Sequence, residues 1–261
     1  MNFFAGIGEW AVNTINAFFQ KVGHFSLFLF NSFKSMFINK WYIKKIYEQF
    51  VEIGFNSLLL VATTAIFTGG VLALQTYAGA SRFGIENTVP SVVVLSLTRE
   101  LGPILVGLMV AGRISTSIAA EISTMRVSEQ LDALYVLSTS PFSFLIMPRI
   151  IASTLSVPIL VLLADVIGLI GGSVASVVAL DFNFYSYIQH TYNFLNYNDV
   201  MSGIIKSFVF GFIIAVCGCY HGYNAKGGAE GVGQATIKAI VSASICILLT
   251  NYFMTQIFFI D

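Results

Sequence analysis

Between Glu52 and Arg82 the chain carries no charged residue. About 20 apolar residues in helical form cross the hydrocarbon of a bilayer, and this run is longer. Only helices and closed barrels span lipid, because their backbones satisfy their own hydrogen bonds. The run has no strand-like alternation, so it predicts a membrane helix over residues 53–80 that is tilted or continues past the bilayer. Four more apolar runs predict spans over 92–112, 150–180, 200–220 and 239–259. The composition agrees: 10% of residues are charged and the mean hydropathy is +0.82, whereas a soluble domain has about 25% charged residues. The formal net charge of zero gives no general attraction to nucleic acid. The expected class is an all-α integral membrane protein, with no secretory cleavage site at its amino end.

Residues 1–48 form a different region. Phe4, Ile7, Ala11, Ile15, Phe18, Val22, Phe25, Leu29, Phe33 and Met36 recur at helical spacing, but Glu9, Lys21 and Lys34 interrupt them. Lys40, Lys44 and Lys45 follow. The pattern predicts an amphipathic helix, or two, in the bilayer interface with lysines toward anionic headgroups. A first membrane span over 22–38 is the alternative. Residues 49–261 then make up a five-span domain.

The second run holds Arg99 and Glu100 near its middle, followed by Gly102-Pro103. Proline removes a backbone donor and bends the helix. Adjacent residues point about 100° apart, so Arg99 and Glu100 each need another partner. An intramembrane charge is costly and marks a functional site by default. For Glu100 the partner is Lys206, in the fourth run, at matching depth if the second span enters near Pro90. A structural ion pair that only locks packing is the other reading. Asp165 in the third run is a further buried polar candidate without an evident partner. Gly69-Gly70 marks either a bend or close packing, and Gly168, Gly171 and Gly172 permit close helix approach.

Arg113, Arg126 and Arg149 place the polar connection of residues 113–149 on the cytoplasmic side, where Lys and Arg accumulate. Within it, Glu121, Met125, Ser128, Glu129 and Asp132 alternate with Ile122, Val127, Leu131 and Leu134. This predicts an amphipathic helix over about 121–137, either docking on a partner or merely solvated. Residues 181–199 are aromatic, lack Lys and Arg, and belong outside. Residues 223–238 return to the cytoplasm, so the amino end is inside and the carboxyl end outside. Gly227-Gly228-Ala229-Glu230-Gly231-Val232-Gly233 lacks the Gly-Lys-Ser/Thr ending of a phosphate loop, and no strand precedes it. Its glycines predict a tight turn, with Glu230 a surface charge or a partner contact. Cys217, Cys219 and Cys246 lie in apolar runs, and His24, His190 and His221 are scattered, so neither metal binding nor a nucleophile–base set is expected.

Leu97-Thr98-Arg99-Glu100-Leu101-Gly102-Pro103, Ala111-Gly112-Arg113, Ala120-Glu121-Ile122 and Glu129-Gln130-Leu131-Asp132-Ala133-Leu134 fall in one order that resembles the MlaE (YrbE) family. Pro148-Arg149 and the Gly228–Gly233 stretch extend the resemblance across residues 50–260. It implies the permease of an ATP-binding-cassette (ABC) transporter, without catalytic activity of its own. Such a permease moves phospholipid or related lipids between the bacterial inner membrane and MCE proteins of the cell envelope. It further implies a homodimer, an MlaF-like ATPase carrying ATP and Mg, an MlaD-like MCE protein and an optional MlaB-like STAS-domain subunit. No cofactor or metal is expected in this chain. By the resemblance, Arg99, Glu100, Lys206, Leu72 and Phe83 are the lipid-pocket residues. Glu121, Met125, Arg126, Glu129, Gln130 and Asp132 couple to the ATPase, and Gly228, Glu230, Gly231 and Gly233 form a structural loop. Gly79 and Ala80 are smaller than the apolar residues some members place there, which bears on pocket width. Without the resemblance, an ion-coupled secondary transporter using Glu100 and Asp165 stands as the alternative.

Overall fold

The computed structural model describes residues 2–38 and 41–259. Within the first helix, side chains are described for Asn16, Phe19, Gln20 and residues 22–37. The amphipathic face expected from Phe4 to Phe18, with Glu9 and Lys21, and the charge of Lys40 lie outside the described side chains.

Every described element is helical. α1 (Asn2–Ile38) is followed by α2 (Ile43–Ala80). α3 is one continuous helical run, Glu86–Val127, and α4 (Gln130–Val136) is short. α5 is the run Phe142–Leu180, α6 is Phe184–Phe194, α7 is Tyr197–Tyr223 and α8 is Gly228–Phe259. Among the described residues five helices are long and apolar enough to cross a membrane: α2, α3, α5, α7 and α8. The alternative span over 22–38 is not among them.

Local chemistry sets the helix ends. Asn183 Oδ1 accepts from the Tyr185 and Ser186 amides to start α6. Asn196 and Asp199 form a reciprocal capping box that starts α7. Between α3 and α4 the chain turns at Glu129, which has a left-handed φ of 58°.

α2 packs along α5, α5 on α7, and α7 on α3 and α8, so α3 is in contact with all four other spanning helices. The α2–α5 crossing is made by small residues. A Cβ added at Gly69 would run into the Gly168 backbone, and one at Gly171 into Ile66. Gly69 is therefore a packing point, and α2 passes through it without a break. Such contacts replace the hydrophobic drive that lipid does not supply between helices. The main apolar core joins α3, α5 and α7 around Ile118, Leu160 and Phe210. A smaller cluster of Ala73, Val89, Val93 and Leu97 closes the α2–α3 end. At the opposite end, Phe28 of α1 stacks with Phe142, Tyr220 and Tyr223, tying α1 to α5 and α7.

The helices outrun the sequence expectations. α3 does not stop at Gly112 but continues to Val127, α5 starts at Phe142, and α8 starts at Gly228, so most of the glycine-rich stretch is helix. Polar residues on a helix emerging from lipid are compatible with more helix, and hydropathy alone does not register them. The segment 121–137 is two helices meeting at a corner rather than one.

Candidate functional site

Two turns of α3 have π geometry, Leu97–Leu101 and Ala111–Ser115. Each carries charge: Arg99 and Glu100 in the first, Arg113 in the second. A π turn widens the helix by one residue and often marks a functional position. Here the first immediately precedes Gly102-Pro103. Pro103 has no amide hydrogen, so the carbonyl of Arg99, four residues back, loses its usual helical donor. Lys206 Nζ donates to that carbonyl at 3.0 Å.

Lys206 is fully buried, and its ammonium also donates to Glu100 Oε1 at 2.6 Å and Thr255 Oγ1 at 2.8 Å. An ammonium has three donors, and these three acceptors lie among the described residues. Thr255 Oγ1 lies 2.8 Å from Glu100 Oε1, and Asn251 Nδ2 donates to Glu100 Oε2 at 3.0 Å. Glu100 keeps 34% of its side chain exposed. Three helices thus meet at one polar knot: α3 supplies the acid, α7 the base, α8 the amide and hydroxyl.

Arg99 turns elsewhere. Its Nε and Nη2 reach Asp199 Oδ1 at 2.8 and 2.7 Å. Asp199 Oδ2 meanwhile accepts from the Asn196 amide. Asp199 and Lys206 are seven residues apart, two turns of α7 and therefore on one face. That face meets Arg99 and Glu100 as two separate pairs.

The other sequence candidates divide. Leu72 is partly buried against the Ala73–Leu97 cluster. Phe83, in the turn after α2, is 79% exposed. Neither has a described contact to the polar knot. Asp165 packs against α3 at Gly102, where an added Cβ would strike its carboxylate, and its Oδ1 has no hydrogen-bond partner among the described residues.

Glu121 Oε2 pairs with Arg149 Nη2 at 2.6 Å, and Arg149 Nη1 donates to the Leu145 carbonyl. Arg126 pairs with Asp132 at 2.9 Å and stands over the Tyr223 ring, while the Tyr135 and Tyr223 hydroxyls meet at 3.0 Å. Met125 packs on the core. Glu129 and Gln130 are exposed at the corner. Gly228 has φ 67° and opens α8, Gly231 packs against the Lys226 carbonyl, and Glu230 accepts from Gln234 in the first turn. Gly233 is exposed.

The pairing of Glu100 with Lys206 was legible from depth. Asp199, Asn251 and Thr255 were missed. Asn196-x-x-Asp199 is a capping-box pattern, and Asn251 and Thr255 share one helical face of an otherwise apolar run. Both were readable signals.

A family description, Permease MlaE, matches residues 46–257. A probable ABC transporter permease protein of Rickettsia felis is 53% identical over 242 residues, 93% of each chain. A probable ABC transporter permease protein of Synechocystis is 41% identical over 212 residues, 81% of each chain. The intermembrane phospholipid transport system permease protein MlaE of Haemophilus influenzae is 32% identical over 266 residues, covering 99% of this chain and 98% of its own.

Proposed function

This chain belongs to the MlaE permease family, and from that premise we propose that it is the membrane subunit of an ABC transporter that moves phospholipids or related lipids. The observation that carries the reading beyond family membership is the one-third-exposed Glu100 bound to the buried Lys206. A charge pair in mid-span that is only packing has no need of an open side. It is a multi-pass inner-membrane protein. The relatives' names favour ABC transport over the ion-coupled alternative, and Glu100 and Asp165 share no described hydrogen bond.

In this reading Arg99, Glu100 and Lys206 receive the polar part of the lipid, and apolar walls including Leu72 and Phe83 take its chains. The chains of a membrane lipid are already out of water, so the apolar walls house them at little net gain and the charges supply selection and orientation. An anionic headgroup reaches Lys206 by displacing one of its described acceptors. Arg99 keeps 35% of its side chain exposed and is the first cation a headgroup meets.

The α3–α4 corner is the contact for a separate ATPase, which holds ATP and Mg and hydrolyses it. This chain binds no cofactor and acts without catalysis. The Glu121–Arg149 and Arg126–Asp132 pairs stiffen the corner internally, which leaves Glu129 and Gln130 as the outward residues. A second copy of the chain completes the pocket, and an MCE protein, with an optional STAS-domain subunit on the ATPase, completes the complex. The corner and the amino end face the cytoplasm; α6 and the carboxyl end face the periplasm, in accord with the lack of Lys and Arg in residues 181–199.

The test is purification with the products of neighbouring genes, then mass spectrometry of proteins and lipids. An ATPase and an MCE protein with bound phospholipid are expected. A lone permease whose lipid does not exceed detergent background would overturn the proposal.

A further inference from the structure

α6 leaves both a polar and an apolar sector uncovered. Tyr187 and Thr191, four residues apart, form the face turned into the protein, and both are buried. Beside that face, Phe184, Tyr185, Ile188 and Tyr192 fall within about 100° of the helix circumference. All four are exposed, Tyr185 at 75% and Tyr192 at 80%. Ser186, Gln189 and Asn193 occupy the third sector and are exposed as well. In water alone such a helix leaves a patch of rings uncovered, and such a patch marks a contact surface. With lipid on one side and water on the other, each sector meets its own solvent.

The position of α6 sets those rings at a membrane. α6 joins α5 to α7 at the end away from the α3–α4 corner, since α5 starts and α7 ends beside that corner, where Phe142 meets Tyr223 and Tyr223 meets Tyr135. It does not stand clear of the bundle. The Tyr187 hydroxyl lies 3.2 Å from where a Cβ on Gly172 would stand. Gly172 is eight residues inside the end of α5 at Leu180, or about 12 Å. α6 is thus folded back against α3 and the last turns of α5, beside helices that span.

The length of α7 gives the level. Its 27 residues rise about 40 Å, the thickness of a bilayer with its headgroup layers. With Tyr223 at one surface, the start of α7 and the α6 beside it stand at the other. Tyrosine settles at this level, with its ring toward lipid and its hydroxyl toward water. No Lys or Arg lies in residues 181–199, so the hold on the leaflet is aromatic rather than electrostatic.

We propose that α6 is an interfacial anchor, with the face of Phe184, Tyr185, Ile188 and Tyr192 seated among the lipids of the leaflet opposite the corner and the Gln189 and Asn193 side in water. This anchorage needs only the spanning helices and is independent of what the permease carries. It also bears on the Arg99 pair. Leu195 and Asn196 alone separate α6 from α7, and the Asn196 amide donates to Asp199, the partner of Arg99. A helix seated in the leaflet therefore fixes the level of the Arg99–Asp199 pair relative to the lipids.

The test uses the full chain in phosphatidylcholine nanodiscs, carrying Trp10→Phe and Trp41→Phe. One tryptophan is then introduced at a time, as Tyr185→Trp, Tyr192→Trp or Gln189→Trp. Its fluorescence is quenched with phosphatidylcholine brominated near the headgroup end of the chains, with phosphatidylcholine brominated near the terminal methyl, and with aqueous iodide. Bromines near the headgroup should quench Tyr185→Trp and Tyr192→Trp at least twofold more than Gln189→Trp, as rings about 5–10 Å into the headgroup boundary require. Bromines near the terminal methyl should quench the two tyrosine variants less, and iodide should favour Gln189→Trp. Equal responses of the three variants to bromolipid or to iodide overturn the anchor. Bromolipid quenching that vanishes when the variants are purified with the products of neighbouring genes also overturns it, and assigns the face to a protein partner. Both tyrosine variants keep a ring, and either one decides the matter if the other fails to fold. Loss of the anchor leaves the permease reading untouched, because copurified ATPase and bound lipid are read separately.

Discussion

Lys206 holds three acceptors at once, two of them on α3. Removing one partner of a buried pair leaves the other charge uncompensated, at a cost of about 3–5 kcal/mol. Lys206→Ala should therefore lower the thermal unfolding temperature of the detergent-solubilised protein. The part-exposure of Glu100 places the loss near the low end of that range. Adding Glu100→Gln to the same protein removes the stranded charge and should recover part of the loss. A double variant no more stable than the single would show that the carboxylate is not what Lys206 offsets. Asp199→Ala disrupts both the Arg99 pair and the α7 cap. The cap alone is worth about 1 kcal/mol, so the drop should exceed that of Asn196→Ala in the same unfolding assay.

At the scale of elements, the α2–α5 crossing has no room for a side chain. Gly69→Ala places a methyl against the Gly168 carbonyl and should cost about 1–3 kcal/mol, as overpacking does. Gly79→Ala, with open space around it, serves as the control in the same melting experiment. The five spans and the glycine crossings were legible because bilayer thickness and helix periodicity leave few alternatives for uncharged runs. The Glu100–Lys206 pairing was legible because depth and charge restrict partners. The π turns were not, since nothing in a run such as Leu97–Leu101 distinguishes a five-residue hydrogen-bond step from a four-residue one. Only Pro103 hinted at it, as a bend. The corner at Glu129 was also hidden, because glutamate is an unusual choice for a left-handed φ and the surrounding pattern reads as one amphipathic helix. Glu129→Gly should relieve that conformation and raise the unfolding temperature slightly. Glu129→Lys should leave ATP hydrolysis measurable while lipid movement falls several-fold. Lipid movement at the normal rate in the lysine variant would take Glu129 out of the coupling contact.

For the whole molecule, α3 is the member that touches every region. One end stands near α6, its middle carries the polar knot, its second π turn carries Arg113, and its far end bears the α4 corner. At about 1.5 Å per residue, the 42-residue run is roughly 60 Å long, twice the hydrocarbon thickness. A push on the corner thus bears on a rod whose two π turns hold Arg99, Glu100 and Arg113. Cysteines at Glu121 and Arg149 bridged by a bismaleimide with a disulfide spacer should hold the corner against α5 and slow lipid movement, and reduction of the spacer should restore it. The bond from Lys206 to the Arg99 carbonyl has a wider consequence. The same ammonium completes the backbone that Pro103 leaves open and neutralises Glu100. Any anion that draws Lys206 away therefore weakens the π turn, and any force that reshapes the π turn alters how firmly Lys206 is held. Thermodynamic linkage makes these two effects equal in size. In the proposed transporter, the lysine's affinity for a headgroup and the shape of α3 are then one equilibrium seen from two ends, and work done at the corner by the proposed ATPase would be paid out as a change in lipid affinity.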